Sequence, residues 1–446
     1  MKRRKKLTTP IIIGIAGIVV LAVVGVVGAL NGWFGGGGSI PSDTMTRGLV
    51  GYWSFDEGSG ITAYDASGNG NDGTLYWMST STNAWTTGKS AGALQFDGAD
   101  DYVSINDNDA LTPSDSITVS AWIKRTATGR LDLVIGKGSS LTNFSYNIYF
   151  NSNDTLAWEV SSNGNVSGRL ILNTTATFTS GVWYHIVGIF SNGSANIYVN
   201  GINQPVTTSG TAVSVYNNTA NLFIGYEVTD TSYYFRGTID EVRIYNRALS
   251  DAEVRYHYNR GGPVVQWKFD EGSGSTAYDS TDNHNDGHLY LAPSGNTATS
   301  SAWVTGKYGT ALSFDGTDDY VDVAAVSGQV RTISFWLKRG DTSNKDIIDL
   351  GTPEIKVTDN AITTSGFTSP TYYVDGIKGA FTITANQWHH VAIIDTADIN
   401  ASNVDIGKAS SNYFYGLIDD VKIYNYTRTP EQIRIDYNAG LSTHFK

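Results

Sequence analysis

The chain writes most of itself twice. "GYWSFDEGSGITAYDASGNGNDGTL", Gly51 to Leu75, returns without a gap as "VQWKFDEGSGSTAYDSTDNHNDGHL", Val265 to Leu289. "AWTTGKSAGALQFDGADDYVSI", Ala84 to Ile105, returns as "AWVTGKYGTALSFDGTDDYVDV", Ala302 to Val323, and "FRGTIDEVRIYNRALS", Phe235 to Ser250, returns as "FYGLIDDVKIYNYTRT", Phe414 to Thr429. A period this long makes each repeat a whole domain rather than one turn of a solenoid. The boundary falls at "NRGGP", Asn259 to Pro263, so the sequence predicts domains at residues 47–262 and 263–446.

Inside each unit, short runs such as "ITVSAWI" and "SANIYVNG" alternate apolar and polar residues, the pattern of half-buried strands, and they end in Gly/Asn/Asp turns. The 49 Gly against 9 Pro, with 11 Trp and 26 Tyr, fit a turn-rich all-β chain rather than a disordered one. "VNG" at Val199 to Gly201 predicts a tight hairpin. Helix cues occur only after the last strand of each unit. Ser250 with Glu253 forms a capping box, and Thr429, Pro430 and Gln432 repeat it.

Ahead of these units lies a basic tail, residues 1–10, followed by an uncharged apolar run from Ile11 to Leu30. As a helix that run is about 30 Å long, enough to span a bilayer. Trp33 and Phe34 follow at interfacial depth, and the basic tail predicts a cytoplasmic N-terminus. Residues 11–34 therefore read as an N-terminal transmembrane helix and residues 35–46, opening "GGGGSIPSD", as a flexible spacer. Small residues at Val27, Gly28 and Ala29 also permit a cleaved signal peptide; either reading exports the body.

Net charge is −12 although the first six residues carry five cations, so the exported body is more acidic still. Such a body repels a phosphate backbone, which excludes nucleic acid as a partner. With no cysteine, disulfides, thiolate catalysis and cysteine-ligated metals are excluded as well.

The order "GLVGYWSFDEGSG…AYDASGNGNDGTL…GALQFDGADDYVSI…ITVSAWIKR…GVWYHIVGIF…ANIYVNG…FRGTIDEVRIYNRALS" resembles the concanavalin A-like, laminin-G-like jelly-roll family over nearly all of Gly48 to Ser250. The second unit departs from the pattern, because "YVDG" (Tyr373 to Gly376) precedes "QWHHVAI" instead of following it. The resemblance implies two tandem jelly-roll β-sandwiches. It is weak for activity, because one fold hosts lectins, adhesion modules and enzyme appendages.

The repeated "FDEGSG" admits a catalytic, a metal-binding or a turn-forming reading. Glycosidases need two facing carboxylates, and the enzymes of this fold carry an E-x-D-x-x-E strand that this chain lacks. The resemblance implies instead a structural Ca²⁺ on the convex side, held by an acid near the first strand and an Asp at the start of the last. That maps onto Asp56 or Glu57 with Asp240 in one unit and onto Asp270 or Glu271 with Asp419 in the other, with Asp97 and Asp315 of the "FDG" turns as further candidates. Hard oxygen ligands suit Ca²⁺. If Val242 and Ile244 face inward, strict alternation places Asp240 on their face, where a carboxylate needs a partner. The alternative is that these acids only accept backbone N–H bonds in turns. "DASGNGNDG" (Asp65 to Gly73) reads as an Asx-rich turn, and His185 and His390 as core histidines.

Glycan binding needs aromatic platforms on an open face or rim. The candidates are Tyr146, Tyr149 and Trp158 on the middle strands and Tyr233 and Tyr234 in the loop before "FRG". The expected role is a non-enzymatic module that recognises an extracellular glycan or a surface protein. The rival roles are an architectural stalk and a glycoside-active enzyme.

Overall fold

In the computed structural model, residues 46–76, 84–138, 142–226, 233–259, 262–290, 302–326, 329–410 and 412–442 are described. The predicted membrane span, residues 11–34, and the spacer up to residue 45 lie outside them. Among the described residues no helix is long and apolar enough to cross a membrane. Residues Thr44–Lys446 form one compact unit.

Alternation builds two antiparallel sheets in the first repeat. Sheet one runs Ile202–Asn203, Ser194–Val199, Trp183–Ser191, Ser116–Arg125, Arg236–Tyr245, Gly92–Asp97 and Trp85–Thr87. The opening strand Leu49–Trp53 pairs with the far end of Arg236–Tyr245. Sheet two runs Val206–Gly210, Arg169–Thr177, Thr155–Ser161, Phe144–Phe150, Asp132–Gly138, Leu222–Ile224, Tyr102–Ile105, Gly73–Tyr76 and Thr62–Ala63. Their facing sides close on one apolar core that includes Trp53, Phe96, Ile123, Ile148, Trp158 and Ile239. The predicted hairpin is present, with Asn200 and Gly201 both at positive φ, as a two-residue reversal between right-twisted strands requires.

The second repeat rebuilds this plan around a separate core from Val264 to Ile423. Its sheet one centres on Val330–Arg339, His389–Ile399 and Tyr415–Tyr424, and its other sheet has seven strands against nine in the first repeat. The displaced "YVDG" has a structural answer. Pro370–Val374 pairs with His389–Ile399 at the place where Ser194–Val199 pairs with Trp183–Ser191, so the edge strand arrives before its partner in the chain.

Each repeat ends in a helix. Asp251–Tyr258 begins with the predicted reciprocal Ser250/Glu253 box. Pro430–Ser442 begins with Gln432 N–H donating to Thr429 Oγ1 at 3.2 Å and Thr429 N–H donating to Gln432 Oε1 at 2.9 Å. The first helix covers the outer side of sheet one through Val254, which packs with Val187, Ile189, Tyr198 and Tyr245.

Candidate functional site

Two regions gather the chemistry: an acidic pocket on the outer side of sheet one, present in both repeats, and an aromatic strip on the outer side of sheet two.

In the acidic pocket strict alternation fails. Ile239, Val242 and Ile244 all enter the core, because a bulge after Asp240 puts Glu241 at φ 55° and resets the phase of the strand. Asp240 therefore does not share the face of Val242 and Ile244; it points outward, in register with Trp122. Asp419 sits in the same way between Ile418 and Val421 of the other core, with Asp420 at φ 48°. Both aspartates are fully buried. Asp240 Oδ2 accepts the Ser90 N–H at 2.9 Å, and Asp419 Oδ2 accepts those of Lys307 and Tyr308 at 2.7 and 2.9 Å. In each case Oδ1 is buried with no hydrogen-bond partner.

The acids just after the opening strands close on the same turns. Asp56 Oδ1 accepts the Gly92 N–H at 2.7 Å, and Asp270 Oδ1 accepts the Thr310 N–H at 3.0 Å. Glu57 and Glu271 do separate work, each accepting the N–H seven residues on, Tyr64 or Tyr278, at 2.7 Å. The turns must be glycine at Gly88 and Gly306: a Cβ there lies 2.5 Å from Asp240 Oδ2 or 2.6 Å from Asp419 Oδ2. Burial raises the Asp240 and Asp419 carboxyls to about 7, and the neighbouring charges of Glu241 and Asp56, or Asp420 and Asp270, add to the rise. An unpartnered carboxylate oxygen, a second acid on the same turn and glycine-lined backbone make a hard-oxygen donor set that fits Ca²⁺.

Asp97 and Asp315 lie elsewhere, at the ends of strands Gly92–Asp97 and Thr310–Asp315. Asp97 groups with Asp100 and Asp101, and Asp315 with Asp318 and Asp319. Each first acid caps its own turn, accepting from Ala99 or Thr317 at 2.7 Å, and Asp101 or Asp319 accepts the N–H of that first acid at 2.8 Å. Burial raises Asp101 and Asp319 to about 6. The Asx-rich loop is a turn as expected, with Asp65 accepting from Tyr52, Ser67 and Asn71. His185 and His390 are buried beside Trp122 and Trp336.

The aromatic candidates divide. Tyr146 and Trp158 are not platforms. Both are fully buried in the core, because their strands turn that side toward sheet one; Tyr146 Oη donates to Leu111 O at 2.8 Å and Trp158 Nε1 to Ile189 O at 3.1 Å. Tyr149 projects to the opposite, outer side, where it hydrogen-bonds Glu159, which also pairs with Arg169 at 3.1 Å. Burial raises the Glu159 carboxyl. On the same outer side Asn147 Oδ1 is buried without a partner. Tyr234 belongs to a strip that the single-strand patterns do not reveal. Tyr76 stacks on Tyr102 at 4.9 Å and 9°, Tyr102 meets Phe223 and Tyr226, and Tyr226 stacks on Tyr234 at 4.5 Å and 16°. Tyr233 is half-buried next to Tyr234. The strip lies outside the core because Leu75, Val103, Leu222 and Ile224 take the inner positions of the same strands. The available signal was the Tyr in "GTLY" and "DDYV", which the second repeat also keeps: Tyr290 stacks on Tyr320 at 4.7 Å and 9°. There Lys408 sits over Tyr320, 3.7 Å from the ring centre.

The Laminin_G_3 family, described as the concanavalin A-like lectin/glucanases superfamily, matches residues 97–255. No curated protein matches. Among solved structures, domain 4 of AbnA, a GH43 extracellular arabinanase from Geobacillus stearothermophilus in complex with arabinotriose, is 23% identical. That match covers 46% of this chain and 96% of that one at a TM-score of 0.35. Trypanosoma rangeli sialidase in complex with sialic acid is 16% identical over 48% of this chain and 33% of that one, at 0.37. The binding domain of Paraclostridial Mosquitocidal Protein 1 is 14% identical over 83% of this chain and 92% of that one, at 0.39. The chain thus spans only a third of the sialidase, and at these TM-scores the likenesses carry no inference. Over residues 97–255 the chain is similar to the concanavalin A-like lectin/glucanases superfamily.

Proposed function

We propose that this chain is a membrane-anchored, non-enzymatic glycan-binding surface protein whose first sandwich holds a saccharide on the outer side of sheet two, with Ca²⁺ bracing both sandwiches as a structural ion. The observation that carries the binding reading is the aromatic strip Tyr76, Tyr102, Phe223, Tyr226 and Tyr234, which crosses three strands and continues into the adjoining loop. Sugar rings present apolar C–H faces that pack on such rings while their hydroxyls reach nearby polar groups. Half-buried Tyr149 supplies such a group on the same side of the sheet, with buried Glu159 behind it. Glu159 is tied to Arg169 and Tyr149, an arrangement suited to orienting a ligand. The second sandwich, with its shorter strip and Lys408 over Tyr320, binds more weakly or serves as a spacer.

For calcium, Asp240 and Asp56 hold one ion and Asp419 and Asp270 the other, each with backbone oxygens of the adjoining turn. The anchor reading rests on the apolar run Ile11 to Leu30 and the basic tail before it. The test is a polysaccharide-binding screen on Thr44–Lys446, with calcium and with chelator. Saturable binding lost in Tyr102→Ala supports the reading. Turnover of a bound glycan overturns its non-enzymatic part.

A further inference from the structure

A second, separate site lies between the sandwiches. The first helix and the Val199–Ile202 hairpin of the first repeat face the opening loops of the second across a cleft of about 480 Å³. That volume is within the usual range for small-ligand sites, which favour domain junctions. The junction is held on several sides. Lys89 pairs with Asp282 at 2.9 Å, Asn259 hydrogen-bonds Asn425, and Tyr256 meets Tyr426 edge-on at 5.0 Å.

The lining is chemically specific. The first repeat contributes Arg255, Tyr258, Asn200 and Asn203, and the second contributes Asn283, Asn285 and Gln329. Arg255 is only 7% exposed. One guanidinium nitrogen is fixed across the junction, donating to Gln329 Oε1 at 2.6 Å, while Nε is buried with no partner at all. A buried donor left unpaired is costly, and a guanidinium fork matches a carboxylate. Asp251, which also lines the cleft, accepts the Tyr198 hydroxyl at 2.6 Å; its charge and that of Asp398 favour the Arg255 cation, and Arg331 opposes it, but among the described residues no carboxylate hydrogen-bonds the Nε. The site therefore offers a guanidinium whose Nε has no hydrogen-bond partner, two tyrosine rings and a wall of carboxamides. That combination fits a ligand with a single carboxylate, a ring and many hydroxyls.

We infer that the cleft between the two sandwiches binds a carboxylated saccharide of the uronic acid class, its carboxylate on Arg255 and its hydroxyls on the surrounding carboxamides. The site needs both repeats, which gives the duplication a purpose that neither sandwich serves alone. It is separate from the aromatic strip and does not depend on it.

The test is calorimetric titration of Thr44–Lys446 with tetragalacturonate, with its fully methyl-esterified form as an uncharged control of the same size. The expected result is binding of the acid at least tenfold tighter than of the ester, reduced tenfold or more in Arg255→Met, partly kept in Arg255→Lys and unchanged in Tyr102→Ala. Because Arg255→Met also removes the Gln329 contact, Ile202→Trp provides a second variant. Ile202 is 63% exposed at the mouth of the cleft, so the larger ring blocks entry without entering the core. Equal binding of acid and ester, no binding of either, or full binding by both Arg255→Met and Ile202→Trp overturns the inference. Loss in Tyr102→Ala with none in Arg255→Met moves the ligand to the strip and overturns it equally.

Discussion

Asp56, just after the first strand, and Asp240, in the last, grip one turn: Asp56 takes the Gly92 N–H at 2.7 Å and Asp240 the Ser90 N–H at 2.9 Å. Two acids this close, one of them fully buried, repel each other unless a cation or a proton stands between them. Asp270 and Asp419 repeat the arrangement. Calcium is therefore expected to raise the melting temperature of Thr44–Lys446. An ion at 100 times its Kd stabilises by about 2.7 kcal/mol per site. Differential scanning calorimetry with calcium and with chelator checks this, and Asp240→Asn with Asp419→Asn should remove the calcium effect.

Gly88 gives a sharper version of the same test. Its φ is ordinary, yet a Cβ placed there lies 2.5 Å from Asp240 Oδ2 and runs into the Gly92 carbonyl. Gly88→Ala should displace the turn and weaken calcium-dependent stabilisation in the first sandwich while the second keeps its own. Calcium titration followed by calorimetry should then show one class of site where the parent protein shows two.

Trp158 and Tyr102 should separate stability from binding. Trp158 is buried in the core with its ring against Gly188, so Trp158→Ala should cost about 3–5 kcal/mol. Tyr102 lies on the outer strip, so Tyr102→Ala should cost far less in denaturant unfolding yet reduce glycan affinity tenfold or more. Equal stability losses in the two variants would contradict the assignment of faces.

His257 predicts acid sensitivity. It belongs to the first helix and is buried, with Nε2 3.1 Å from the Tyr245 hydroxyl. Burial, reinforced by the charges of Arg243 and Arg247, pushes its pKa down to about 3. The folded protein thus binds fewer protons at this ring than the unfolded chain between about 6.5 and 3. Stability from the neutral ring is present above about pH 6.5 and is lost as pH falls, by about 2 kcal/mol at pH 5. His257→Gln, which cannot take up the proton, should narrow the difference in unfolding free energy between pH 7 and pH 5.

Much of the fold was legible because duplication and period-2 patterns are local signals. The strands, the Asn200–Gly201 hairpin and both helix caps follow from residues a few positions apart. What escaped was phase and pairing. Alternation placed Asp240 on the face of Val242, whereas the bulge at Glu241 turns it outward, toward the turn that Asp56 also grips. Tyr146 and Trp158 looked eligible as platforms because a strand pattern does not say which side meets the other sheet. Of the strip Tyr76, Tyr102, Phe223, Tyr226 and Tyr234 only Tyr234 was picked out from the sequence, because the members are far apart in the chain and meet only when their strands pair.

The most direct measurement is saturable glycan binding to Thr44–Lys446 and to its Tyr102→Ala and Tyr226→Ala variants, each shown to be folded by calorimetry. Binding by the parent protein that falls tenfold or more in both variants, without turnover of the glycan, is the predicted result. Binding that both variants retain, or cleavage of the bound glycan, would contradict the assignment of sheet two as a non-catalytic saccharide platform.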